Sequence, residues 1–208
     1  MTKKEEAELK RQARLEAERA RIETMKEYER RYSAYTYICG VDEAGRGPFA
    51  GPVVAGAVIL DPETEILYLN DSKKLSEKKR EELYEMIMKK AVSVGVGIVD
   101  NHVIDKINIL EATYTAMQMA IKNLSDVSFI AEDETDTHEL VRRLVNYEIN
   151  KKDDFEKNER IVPDHILADA VHIPGVDIPQ TKIIKGDQKS ISIAAGSIIA
   201  KGTRDHIM

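Results

Sequence analysis

The chain has 208 residues, a net charge of −6, three Phe and no Trp. This length suits one domain of ordinary size with a real core, and the acidic balance excludes polyanion binding through bulk charge, though not through a local basic groove. A single cysteine, Cys39, excludes an internal disulfide and fits a reducing compartment. Charge begins at Lys3, which does not fit a signal peptide, and no apolar run approaches the ~20 residues that cross a bilayer. We therefore expect a cytoplasmic protein with no membrane partner.

Residues 1–34 are rich in Ala, Glu, Lys and Arg and lack Gly and Pro, which predicts a charged helical extension. Its thin apolar stripe, Ile22, Met25, Tyr28 or Glu29, and Tyr32, predicts docking by the last turns only. Residues 35–42 read as a first strand. Pro52–Leu60, β-branched and almost wholly apolar, reads as a second. A basic loop, 67–74, leads to a helix capped by Ser76 and running to about Lys90, with Leu83 and Ile87 inward and Met86 a further candidate for that face. Ala91–Val99 alternates apolar and small residues and reads as a third strand, so an antiparallel meander precedes the long helices.

A short helix is expected around Val103–Lys106. A longer one follows from Ile109 to Lys122, with Leu110, Tyr114, Met117 and Ala120 or Ile121 on its buried face and Asp126 as its stop. A tract at about 128–161 then breaks the pattern; ten acids face six bases over 131–160, and Glu139–Tyr147 reads as a helix. Asp164–Ala170 and Thr181–Lys185 read as two further strands, and Ser190 to about Asp205 as a final helix. Gly202 inside that helix is expected to weaken it by ~1 kcal/mol.

Acids follow apolar stretches directly at Asp42 and Glu43, at Asp169 and at Asp187. Acids from separate strands that share one sheet edge make an oxygen-rich site suited to Mg²⁺ or Mn²⁺, and no Cys/His cluster points to zinc. Successive strand residues face opposite ways, so Asp42 and Glu43 reach one site only if the strand ends or bulges there; Gly45 and Gly47 supply that freedom. A lone His165 or His172 reads as structural rather than as a ligand. Basic residues gather at Lys73-Lys74, at Lys78-Lys79-Arg80, and at Lys182, Lys185 and Lys189 around Asp187, so a polyanion gripped there would bring a phosphate to the acids.

The string Gly40-Val-Asp-Glu-Ala-Gly-Arg-Gly-Pro48 with Ala50-Gly-Pro-Val-Val54 resembles the signature of bacterial ribonuclease HII. So do Asp71–Arg80, Ile107-Asn-Ile109, Asp164–Ala170, and Ile184–Ser190 with Ala194-Ala195 and Ala200-Lys201. The resemblance covers roughly 35–127 and 162–208. It implies an α/β, ribonuclease H-like catalytic domain over 35–208: a mixed five-stranded sheet, antiparallel meander plus parallel strands, flanked by helices. The tract at 128–161 would interrupt it as an insertion.

The implied activity is a monomeric, Mg²⁺- or Mn²⁺-dependent endonuclease that cuts the RNA strand of RNA/DNA hybrids. It would also nick 5′ to ribonucleotides embedded in a DNA duplex, leaving a 3′-hydroxyl and a 5′-phosphate. Asp42, Glu43 and Asp169 would hold the metals and Asp187 would complete the catalytic acids. Gly45, Arg46 and Gly47 would read the ribonucleotide and its 2′-hydroxyl, Lys73 would hold a phosphate, and Asn108 would face the DNA strand. Lys185, Lys189 and Ser190 complete the expected substrate contacts. Members of the family normally continue beyond the equivalent of Met208 with a junction-stacking tyrosine, so a C-terminally truncated chain is expected. A catalytically impaired nucleic-acid-binding or interaction module on the same fold is the alternative; the presence of all four acids favours the enzyme.

Overall fold

Strand β1 (Ile38–Ala44) is central because it pairs in two different ways. On one side it runs antiparallel to β2 (Val53–Leu60), which runs antiparallel to β3 (Ala91–Val99). On the other it runs parallel to β5 (His165–Asp169), which runs parallel to β6 (Gln180–Ile183). The computed structural model describes residues 2–47, 50–126 and 161–208. The charged tract expected at about 128–161, including its helix at Glu139–Tyr147, lies almost wholly outside them, as do Pro48 and Phe49.

The expected meander and parallel strands are therefore present. A two-residue strand β4 (Ser125–Asp126) adds itself to the edge of β3, so the sheet has five principal strands and one short edge strand in the order β4-β3-β2-β1-β5-β6. The chain at Asp126 thus belongs to the sheet. The helix before it, α5 (Ile109–Lys122), stops four residues earlier than Asp126, with Asn123 as its cap.

Side-chain alternation along β2 divides the core. Val54 and Val58 face a cluster formed with α3 (Glu77–Lys90) and α6 (Ile191–Ile207), whereas Val53, Ala55, Ala57 and Ile59 face α5. Helix α3 starts at Ser76, whose hydroxyl accepts the Lys79 N–H. It buries Leu83, Tyr84, Ile87 and Met88 rather than Met86, which is only partly covered. Helix α4 (Asn101–Ile107) begins two residues before the expected start because Asp100 caps it, accepting from the Val103 N–H.

The buried face of α5 is Ala112, Thr113, Ala116, Met117, Ala120 and Ile121, while Leu110 is 40% exposed. Small residues define this face because the helix lies unusually close to the sheet. A Cβ added to Gly97 of β3 would sit 2.0 Å from the Ala116 carbonyl oxygen.

The N-terminal segment is two helices, α1 (Lys3–Met25) and α2 (Glu27–Arg31), broken at Lys26. Ile22 and Met25 are buried in the α3/α6 cluster. Tyr32 and Tyr35 stack on His165, with centroids 4.1 and 4.7 Å away. His165 is buried at the start of β5, and its Nε2 lies 2.9 Å from the Thr181 hydroxyl. Its role is thus packing, and burial lowers its pKa. Cys39 is also fully buried, and burial pushes its thiol up to about 12.

Candidate active site

The acids collect where the parallel strands end. The β1–β5 register, Gly40↔Leu167 and Val41↔Ala168, brings Asp42 level with Asp169 at the next step, on the same face. Neighbouring strands lie about 4.8 Å apart, so these two carboxylates face each other across one strand gap. β6 continues through Ile184 and Lys185 into a 3₁₀ turn, Gly186–Gln188, that carries Asp187. The Gly186 N–H donates to Asp169 Oδ1 at 2.7 Å, which seats this turn on β5.

Asp42 is 6% exposed. Burial raises its pKa well above the carboxylate range, and the charges of Glu43 and Asp169 push the same way. The Ser197 hydroxyl and the Glu43 N–H, at 2.7 Å, offset part of this by donating to the carboxylate. Ser197 also lies 3.0 Å from the buried Ser72 hydroxyl. The three groups thus form a buried chain from Ser72 through Ser197 to Asp42. Burial likewise raises Glu43, and Asp169 adds to it, whereas Arg46 and Lys73 oppose the rise. Asp187 is pushed up to about 6 by burial and by the charges of Asp71 and Asp169, with Lys73 and Lys74 pulling it down.

The expected break at Asp42-Glu43 is absent. β1 stays paired with β2 through Ala44↔Val54, and the register shift in this part of the sheet lies at Ile59/Leu60. Strand alternation sets the two residues on opposite sides of β1, yet the Glu43 carboxylate stays near enough to raise Asp42 and to be raised by Asp169, and its Oε1 lies 3.4 Å from Arg46 Nη1. Strand β1 ends one residue before Gly45, whose φ of +109° favours glycine and whose added Cβ would meet the Pro52 carbonyl oxygen at 2.4 Å. Gly47 differs: an added Cβ there meets nothing within 4 Å, so nothing within the described chain demands a glycine.

Among the described residues, no three Asp, Glu, His or Cys side chains converge into a group that could by itself hold a metal ion. The bonds above give the reason: Asp169 is turned to Gly186, Asp42 to Glu43 N–H and Ser197, and Glu43 to Arg46. The donor set still fits a hard divalent cation. It is all carboxylate oxygen, and Asp42, Glu43 and Asp187 are held up in pKa by burial and neighbouring acids, a cost that a cation would relieve.

The expected substrate residues divide into two groups. Lys73 is exposed and close enough to Glu43 and Asp187 to lower both acids; Lys185 and Lys189 are exposed on either side of the Asp187 turn. Asn108 is exposed with φ +71°, and its side-chain oxygen caps α5 by accepting from Leu110 and Glu111 N–H. Ser190 instead is fully buried. Its hydroxyl accepts the Ile193 N–H, capping α6, and donates to Glu29 at 2.6 Å.

Four supporting residues escaped the sequence reading. Ser72 and Ser197 steady Asp42; the signal for Ser197 was a hydroxyl among apolar residues, whereas Ser72 sits in a polar, charged loop that gave none. Asp71 accepts the Lys73 N–H at 2.9 Å and shapes the lysine turn. Arg204, 7% exposed, donates to the Pro52 and Ala50 carbonyls at 3.0 and 2.7 Å, fixing the segment against which Gly45 packs.

The chain is similar to known proteins. Ribonuclease HII proteins of Lachnoclostridium phytofermentans and Bacillus subtilis are 51% and 49% identical to the chain, over 94% and 96% of it. The chain spans 63% and 65% of their lengths. Solved structures of ribonuclease H2 from Pyrococcus horikoshii and of ribonuclease HII in a PCNA complex from Archaeoglobus fulgidus are each 26% identical. They cover 82% of the chain, and the chain covers 72% and 73% of them, with TM-scores of 0.49 and 0.48. The family profile described as Ribonuclease HII matches residues 39–208, a span that includes Asp42, Glu43, Asp169 and Asp187, and the chain belongs to that family.

Proposed function

We propose that the chain is a metal-dependent endonuclease that hydrolyses the RNA strand of RNA/DNA hybrids and nicks 5′ to ribonucleotides embedded in duplex DNA. The observation that carries this reading is the register that sets Asp42 beside Asp169, with the Asp187 turn hydrogen-bonded to Asp169. Membership of the ribonuclease HII family supports it.

Asp42, Glu43 and Asp169 would hold Mg²⁺ or Mn²⁺, and Asp187 would complete the acidic set. When bound, such ions activate a water and stabilise the leaving oxygen of a phosphodiester. The protein's own part is positional. Ser197 and Ser72 hold the Asp42 carboxylate in one orientation. Arg46 gives Glu43 a counter-charge until a cation replaces it. The Gly45–Gly47 loop approaches the ribonucleotide through its backbone, and at Gly47 the open space beside Cα leaves room for that approach. Lys73, Lys185 and Lys189 would neutralise phosphates around the cut, and the exposed Asn108 would meet the DNA strand.

The test is a DNA duplex containing one ribonucleotide, incubated with the chain and Mg²⁺ or Mn²⁺. A nick on the 5′ side that disappears in Asp42→Asn supports the reading. Duplex binding without a nick under either ion would favour the non-catalytic binding module.

A further inference from the structure

We propose that the N-terminal helices form one wall of a groove that receives the phosphate backbone of the duplex as it leaves the acids; this rests on the nuclease reading above. The groove has a volume of about 520 Å³ and runs between Thr24 and Tyr28 on one side and Lys74, Gln188 and Lys189 on the other. Its place beside the acids follows from the chain itself. Lys74 succeeds Lys73, and Gln188 and Lys189 succeed Asp187. A strand whose phosphate sits at Asp187 therefore has its next stretch in this groove.

The lining has the chemistry of a backbone site. Lys74, Gln188 and Lys189 are exposed. Lys74 Nζ lies 4.0 Å from Asp71, a loose pairing, and is free to turn to a phosphate. The other charges of the lining are already occupied within the helices. Glu27 pairs with Arg31 at 3.0 Å, and Arg21 pairs with Glu18 at 2.6 Å. Lys74 and Lys189 therefore set the sign of the groove. Thr24 and Tyr28 lie on either side of the break at Lys26, so both N-terminal helices contribute to this wall.

The wall is rigid. Arg21 Nη2 donates to the Leu69 carbonyl at 2.6 Å, and the Tyr68 N–H donates to Glu18 at 2.7 Å. Glu29 Oε1 accepts from the Ser190 and Ser192 hydroxyls, both at 2.6 Å, and from the Ser192 N–H at 3.1 Å. This carboxylate ties the extension to the first turn of α6, immediately after the Asp187 turn. A wall already ordered adds no ordering cost when the duplex arrives.

Thr24 is the position that tests the idea. It is exposed, and its hydroxyl bonds only to carbonyls of its own helix, Ala20 and Arg21. Thr24→Lys and Thr24→Glu are to be compared in the full chain by fluorescence anisotropy with a ribonucleotide-containing duplex and no divalent ion. Gln12→Lys and Gln12→Glu, higher on the same helix, serve as charge controls. We expect Thr24→Lys to bind about 3- to 10-fold more tightly and Thr24→Glu correspondingly more weakly. The slope of log affinity against log salt should change by ~0.9 per added charge, with the Gln12 pair unmoved.

Thr24 variants that match wild type in affinity and salt slope overturn the proposal. If wild type still nicks in that case, the nuclease reading survives alone. Binding that depends on Thr24 charge in a chain that never nicks supports the groove and overturns the nuclease.

Discussion

Asp187→Asn is expected to stabilise the chain in the absence of divalent ions, increasingly from about pH 4 and fully above about pH 6. Burial and the charges of Asp71 and Asp169 push Asp187 from 3.8 up to about 6. The folded state thus binds a proton that the unfolded state has already released between these values. Stability therefore falls as pH rises from about 4 to about 6 and stays reduced above it. The full difference corresponds to ~3 kcal/mol by linkage. Asp187 is only half-buried, and solvent screening brings this to ~1 kcal/mol, or a rise of about 2–4 °C in Tm for a chain of this size.

The assay is thermal unfolding by circular dichroism in EDTA at pH 4 and pH 8. Asparagine should be more stable at pH 8 and equal to wild type at pH 4. Millimolar Mg²⁺ should then raise the wild-type Tm more than that of the variant, since a ligand of the folded state stabilises in proportion to its binding. An asparagine variant that is no more stable at pH 8, or a gain that persists at pH 4, would refute the claim that Asp187 is held at an electrostatic cost.

Ser197→Ala removes the donor that lowers Asp42. The acidic limb of the nicking pH profile should move to higher pH, by up to about one unit for a bond of ~1 kcal/mol; an unmoved limb would show that Ser197 does not act on Asp42. Gly202→Ala should destabilise by about 1–3 kcal/mol despite alanine's better helix propensity, because the added Cβ would lie 2.5 Å from the buried Tyr84 ring. Urea denaturation reads the sign. Arg204→Ala removes two charge-assisted bonds to the Ala50–Pro52 segment, which should cost about 2–3 kcal/mol and raise KM for the duplex through a loosened Gly45 loop. An unchanged KM would separate that segment from substrate binding.

The elements most legible in the sequence were those whose local signals agree with their packing. Ala91–Val99 alternates small and apolar residues and forms β3 at those bounds. Ser76 caps its helix as its position suggested. Where close approach governs, residue size misled. Leu110 looked like a core residue of α5, yet that helix rests on the sheet through Ala112, Ala116 and Ala120, because the glycines of β3 draw it in. Gly202 likewise looked like a weak point and is the space in which Tyr84 sits.

At the site, the acids were legible because each ends an apolar run. The way they meet was not. The pairing of Asp42 with Asp169 is a product of parallel register between strands more than a hundred residues apart. Ser190 matched a motif, but its hydroxyl faces inward to Glu29, a partner contributed by the N-terminal extension, which local pattern could not associate with it.

The account rests most heavily on Asp42, and the nicking of a single-ribonucleotide duplex in Mg²⁺ or Mn²⁺ tests it most directly. The predicted result is a single cut 5′ to the ribonucleotide by the wild-type chain and at least a hundredfold loss in Asp42→Asn, with duplex binding retained. Cutting that survives in Asp42→Asn, or wild-type chain that binds the duplex and leaves it intact under both ions, would contradict it.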